Sequence, residues 1–187
     1  MDKAQLLYLQ NRVAYARDQA AYKKLYLYFH PSIYKIAAII VRQKSLIEEI
    51  VSDVMIRIWT MENKLAYIDH LKSYLLVATR NTALTYLKKY KEDNHLDIEE
   101  TCDAPVLYEM PDQQVMATEL SQIIEGTVAA LPPKSQMVYR LIKEEGLSYK
   151  EACGILEISQ KTLEAHMSTA LKKLRRVLDG YLLKKNC

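Results

Sequence analysis

Residues 147–174, LSYKEACGILEISQKTLEAHMSTALKKL, read as two short amphipathic helices separated by three residues, and helices joined that tightly must cross over a shared apolar seam. Ser148 and Glu151 form an S-x-x-E capping box, so the first helix begins near Tyr149 and sets Ala152, Ile155 and Leu156 on one side. Ser159 is placed to cap the second helix. Along it Leu163, Met167, Ala170, Leu171, Leu174 and Leu178 recur at helical spacing and predict a packing stripe. The opposite stripe holds Lys161, Ala165, Ser168, Thr169, Lys172 and Arg176, flanked by Thr162 and His166. Small, hydrogen-bonding and cationic side chains on a free helix face suit base edges and phosphates in a DNA major groove. An ordinary helical hairpin with a wet outer face carries the same local signals.

Upstream, Pro132 and Pro133 introduce a helical run over 134–145, and Gly146 is suited to the left-handed position that ends it. Three successive helices predict a helix-turn-helix domain. Elsewhere four glycines and five prolines in 187 residues, with little alternation of β-branched and polar residues, predict an all-α protein. Cys102, Cys153 and Cys187 are odd in number and far apart, which argues against a disulfide framework and a structural zinc site. The N-terminus shows no secretory signal, and the apolar run near 33–41 is too short to span a bilayer and contains Lys35. A reduced, cytoplasmic protein is expected.

The net charge of +3 conceals a division. Residues 1–91 and 134–187 are both basic, while 92–133 carry ten carboxylates and no lysine or arginine. Two basic lobes flanking an acidic stretch point to two surfaces drawn to a polyanion. A solvated linker of accidental sign accounts for the acidic stretch equally well, and Pro105 and Pro111 fit a linker in either case.

In the first lobe, Ser45 and Glu48 suggest another capping box, opening a helix that runs to about Met61. Ile47, Ile50, Val51, Val54 and Ile58 fall within one arc and must pack inward, whereas Glu49, Ser52, Asp53, Ile56 and Thr60 share the opposite arc. Ile56, apolar at the centre of a polar face, suggests a protein contact. A further helix over 71–91 uses Tyr74, Leu75, Ala78, Thr82 and Leu87 for packing and also bears Lys72, Arg80, Asn81, Tyr86, Lys88, Lys89 and Lys91. Cations interleaved with an amide and aromatic rings fit single-stranded or distorted DNA. A tyrosine-rich core helix with a basic outer face is the other reading of the same residues.

The stretch IEEIVSDVMIRIW at 47–59, followed by LKSYLLVATRNTALTYLKK at 71–89, resembles regions 2.2 to 2.4 of the extracytoplasmic-function (ECF) group of bacterial sigma factors. The segment ALPPKSQMVYRLIKEEGLSYKEACGILEISQKTL at 130–163 resembles region 4 of the same group. The likeness covers roughly 18–91 and 119–178 and implies two small helical domains: 1–91 for polymerase docking and the −10 element, an acidic linker at 92–118, and a −35-reading domain at 119–187. It implies core RNA polymerase (the β′ clamp helices and β flap) and promoter DNA as partners, an anti-sigma factor, often membrane-anchored in that family, as a further one, and neither a cofactor nor a small-molecule substrate. Carried over by position, polymerase contacts fall on Glu49, Ser52, Asp53 and Ile56; −10 contacts on Arg80, Asn81, Tyr86, Lys88 and Lys89; and −35 contacts on Lys161, Thr162, His166, Thr169, Lys172 and Arg176. The acidic linker resembles the family's connector through a polymerase channel, and the ten carboxylates of 92–133 suggest mimicry of nucleic acid. Two departures stand out: Ser52 where the family often has glutamine, and Glu157 where the turn usually has glycine. Cys153 takes the small-residue position expected to be buried where the two helices cross.

A free-standing helix-turn-helix regulator is the alternative, since such proteins share a T-x-x-x-H arrangement like Thr162 and His166. The first lobe lacks the strand–helix alternation of a receiver domain. An enzyme is not indicated: the four histidines are scattered, and neither G-x-S-x-G nor a Gly-rich phosphate loop is present.

Overall fold

The computed structural model describes residues 1–94 and 119–185. Those residues are helical with no strand among them, and they belong to two compact units, Met1–His95 and Leu96–Cys187. Among them no helix is long and apolar enough to cross a membrane.

The first unit contains α1 (Lys3–Ala16), α2 (Gln19–Ile40), α3 (Lys44–Thr60), a 3-10 turn (Glu62–Tyr67) and α4 (Leu71–Asn94). Asp2 and Asp18 start α1 and α2, their carboxylates accepting from the N–H groups of Gln5 and of Ala20 and Ala21. The Ala21 N–H and the Arg12 guanidinium, 2.7 Å away, hold the Asp18 carboxyl below the usual aspartate range. α2 is the hub and packs on α1, α3 and α4. Its Leu25, Phe29, Ile33, Ile36 and Ala37 are buried among Ile47, Ile50, Val54, Met55 and Ile58 of α3 and Leu71, Leu75, Leu76 and Ala83 of α4. Arg17, left-handed at the α1–α2 junction (φ 52°), lies 4.2 Å above the Trp59 ring and donates to the Trp59 carbonyl, which fastens the hairpin to the end of α3.

The start of α3 differs from expectation. Gln43 precedes the helix without a side-chain cap, and Ser45 lies inside the first turn. Glu48 pairs with Lys44, Nζ to Oε1 3.9 Å, instead of reaching back to a capping serine. Buried Val41 ends α2 and leaves only three residues between the helices, so α3 starts before a serine cap can form.

The second unit contains α5 (Glu119–Ala129), α6 (Pro133–Tyr139) widening into a π turn (Arg140–Glu144), α7 (Tyr149–Leu156) and α8 (Gln160–Lys185). Val128, Leu131, Ala170 and Leu174 form a core against which Ile124 and Tyr139 pack. Gly146 ends the third of these segments at φ 69°, as its position predicts. Arg140, its side chain 4% exposed, bridges Glu125 of α5 at 2.6 Å and Glu144 at 2.7 Å. Burial works against its charge, yet the bonds to these two carboxylates outweigh that and raise its pKa.

The connector expected from residue 92 begins later. α4 continues through Asn94, and Glu92, Glu119 and Glu125 are on helices where they meet Lys88, Tyr181 and Arg140. With Asp93 also within α4, six of the ten carboxylates, Asp97, Glu99, Glu100, Asp103, Glu109 and Asp112, lie outside the described residues.

Candidate polymerase and nucleic-acid interfaces

α3 separates its two faces as its periodicity requires. Ile47, Ile50, Val51, Val54 and Ile58 are buried, and Met55, which the pattern did not single out, joins them. Glu49, Ser52, Asp53 and Thr60 are exposed, and Ile56 stands among them at 54% exposure. The hydroxyls of Ser52 and Thr60 turn back to donate to the carbonyls of Glu48 and Ile56. This leaves an acidic, weakly donating surface with one apolar side chain at its centre.

Asp53 is also joined to α4. The Tyr86 hydroxyl donates to its Oδ2 at 2.6 Å, and this bond, with partial burial, pushes the phenol up to about 12. Two residues expected to serve different partners, polymerase and DNA, are thus in direct contact, with the Tyr86 hydroxyl directed at α3. Asn81, Lys88 and Lys89 are exposed on α4, and Arg80 is half-buried with its guanidinium on the Asn81 side-chain oxygen at 3.1 Å. Leu84 and Thr85, between them on the helix, are exposed as well, since Leu84 falls outside the inward register of Leu76, Ala83 and their neighbours.

In the second unit the capping box forms as read: Ser148 Oγ accepts from the Glu151 N–H at 3.2 Å, and Glu151 accepts from the Ser148 N–H at 2.9 Å. Ser159 Oγ accepts from the Thr162 N–H at 3.1 Å and caps α8. Glu157 takes the left-handed conformation (φ 57°, ψ 41°) in the turn, so the backbone keeps the glycine-type geometry with a side chain attached. Its N–H and that of Ile158 both reach the Cys153 carbonyl.

Ala152, Ile155, Leu163, Met167, Ala170 and Leu174 are buried, but Leu171 is 42% exposed. The apolar repeat on α8 is broader than the surface its neighbours cover. Cys153 is half-buried and free instead of fully enclosed. On the outward face Lys161, Thr162, Thr169, Lys172 and Arg176 are exposed together with Ala165 and Ser168. Thr162 Oγ1 is engaged by Ser159 Oγ at 2.8 Å, and Thr169 Oγ1 donates to the Ala165 carbonyl at 3.0 Å. His166 is half-buried, its Nδ1 3.4 Å from the hydroxyl of buried Ser135, which sets it at the edge of the face. Lysine and arginine are thereby left as the long, unencumbered groups of this surface, with small side chains between them.

Comparison with known proteins agrees with both units. Residues 25–92 match the model for sigma-70 region 2, and residues 121–174 match that for sigma-70 region 4. The RNA polymerase sigma factor FliA of Salmonella typhimurium (strain LT2) is 29% identical over 104 residues, covering 56% of this chain and 43% of that protein. The chain thus spans under half the length of those FliA relatives. The ECF RNA polymerase sigma factor SigM of Bacillus subtilis (strain 168) is 21% identical over 163 residues, covering 83% of this chain and 94% of SigM. Among solved structures, the sigma factor RpoE in complex with the anti-sigma factor NepR from Bartonella quintana shares the fold at TM-score 0.55 and 20% identity, over 84% of this chain and 96% of that one. CnrH, in complex with the cytosolic domain of CnrY, shares it at TM-score 0.56 and 17% identity, over 94% and 98%. With region 2 and region 4 matched in order over about two thirds of its length, this chain belongs to the sigma-70 family.

Proposed function

We propose that this chain is a dissociable subunit of RNA polymerase that directs it to promoters. Residues 1–91 dock on the polymerase β′ clamp helices through Glu49, Ser52, Asp53 and Ile56 and open the −10 element with α4 and the turn before it. Residues 119–187 contact the β flap and present the outward face of α8 to the −35 element, and 92–118 connect the two. The observation that carries this reading is Ile56, apolar and 54% exposed at the centre of an otherwise polar helix face, a surface that a partner protein covers to advantage. A free-standing regulator gives that face no role. The RpoE structure is a complex of a sigma factor with the anti-sigma factor NepR, and an anti-sigma partner, covering the docking surfaces, is proposed here too. The site of action is the cytoplasm, where polymerase works.

Reconstitution tests the proposal. The purified chain added to core polymerase is expected to start transcription at a defined promoter, whereas a regulator binds duplex DNA equally well without polymerase. Within that assay Lys161→Ala is expected to weaken discrimination at one −35 base pair by about 1–3 kcal/mol, the worth of one good base-edge contact. An equal loss on every −35 sequence, with a shallower salt dependence, reassigns Lys161 to a phosphate.

A further inference from the structure

We propose that Gln10 of α1 is a positioning residue for promoter opening, fixing the turn between α3 and α4 through its side-chain amide. The inference rests on the sigma-factor reading of the first unit. Gln10 is 3% exposed, in a helix whose other buried residues are Leu9, Val13 and Ala14. Its Nε2 donates to the Leu65 carbonyl at 2.7 Å and to the Ile68 carbonyl at 2.8 Å, 55 and 58 residues further along the chain. Because both partners are acceptors only, the NH2 end of the amide must face them, and both of its hydrogens are used.

The turn needs this support. It begins at Glu62 in the left-handed region (φ 50°), a conformation unfavourable for a residue with a Cβ. It runs for six residues as a 3-10 helix, longer than such helices usually persist on their own hydrogen bonds. Leu65 is fully buried and anchors it from inside, and the Leu65 carbonyl accepts from the Ile68 N–H at 3.2 Å as well as from Gln10. Removing the amide leaves the Ile68 carbonyl without this donor, at the junction where the chain swings into α4. On the outside the turn presents Tyr67, 79% exposed. A turn ordered in advance spares the opening step the entropy of ordering it when the strands part. α1 ends at Ala16, before the residues matched to region 2 begin at 25, so the tether is not implied by that match.

The test uses the full chain assembled with core polymerase on a defined promoter. Gln10→Met keeps the length and apolar body of the side chain and removes both donors. It is expected to leave affinity for core polymerase unchanged and to slow opening, read as permanganate reactivity of unpaired thymines, by about tenfold. Gln10→Asn retains the amide but withdraws it by one methylene, so it reaches at most one carbonyl, and its opening rate is expected to fall between the two. Unchanged opening in either variant overturns the proposal, as does a parallel fall in assembly and opening in Gln10→Met, which marks a residue that merely holds the fold. Should Gln10→Met not fold, Gln10→Asn alone decides. A wild-type chain that opens no promoter with polymerase overturns the sigma-factor reading and this inference together, and is told apart because the failure precedes any substitution.

Discussion

Asp53→Arg combined with Ile56→Glu is expected to abolish binding to core polymerase while leaving the helical fold intact. Both side chains belong to the outer face of α3, and neither contributes to the seam of Ile47, Ile50, Val51, Val54, Met55 and Ile58 that holds the helix against α2 and α4. An exposed apolar side chain at the centre of a docking face is the kind of residue that dominates an interface, and losing such an anchor beside a reversed charge is expected to lower affinity at least about a hundredfold. The fold loses only the Asp53–Tyr86 hydrogen bond, worth about 1 kcal/mol net. Tyr86→Phe separates the two effects, because it removes the same bond without altering the α3 face. Co-purification with polymerase is expected to survive Tyr86→Phe and fail in the double variant, with the helical circular dichroism of both unchanged. Unimpaired co-purification of the double variant refutes the face assignment.

The second large effect concerns stability. Glu125→Gln with Glu144→Gln leaves the Arg140 guanidinium, whose side chain is 4% exposed, without a counter-charge. Stranding a buried cation in this way is expected to cost about 3–5 kcal/mol. Arg140→Met is expected to be the milder change, about 1–2 kcal/mol, because the two carboxylates left behind, 42% and 26% exposed, can recover hydration. It also removes Nε, a buried donor with no hydrogen-bond partner among the described residues. Urea unfolding followed by circular dichroism ranks the variants, and Arg140→Met proving the more damaging contradicts this account of the bridge.

The features legible in the sequence were those in which close neighbours satisfy one another. Ser148 with Glu151, Ser159 with Thr162, Pro133 and Gly146 each act within one turn of helix, and each formed where the sequence placed it. The same kind of motif misled at Ser45, where Lys44 offers Glu48 a competing partner and the short connection from α2 starts the helix early. α1 and α2 had weaker signatures. α1 carries Tyr8 and Tyr15 on its exposed side as well as Leu9 and Val13 on its buried side, which blurs its stripe, and Pro31 interrupts the pattern of α2 although the helix continues through it. α5 begins inside the acidic stretch, where the charge of Glu125 gives no sign of its partner until Arg140 is brought against it. What could not be read locally are the contacts that tie elements together: Gln10 to the turn, Tyr86 to Asp53, Arg140 to Glu125. Their partners are set by tertiary packing, which no periodicity encodes.

The central claim is a division of labour within the chain, with one helix face gripping polymerase and others reading DNA. A photo-crosslinking residue placed at Ile56, in a chain shown to start transcription with core polymerase, tests it most directly. Covalent capture of the β′ subunit, absent when the same group is placed at Ser168 on the outward face of α8, is the expected result. Transcription proceeding normally with no β′ capture from position 56, or with promoter DNA captured there instead, contradicts it.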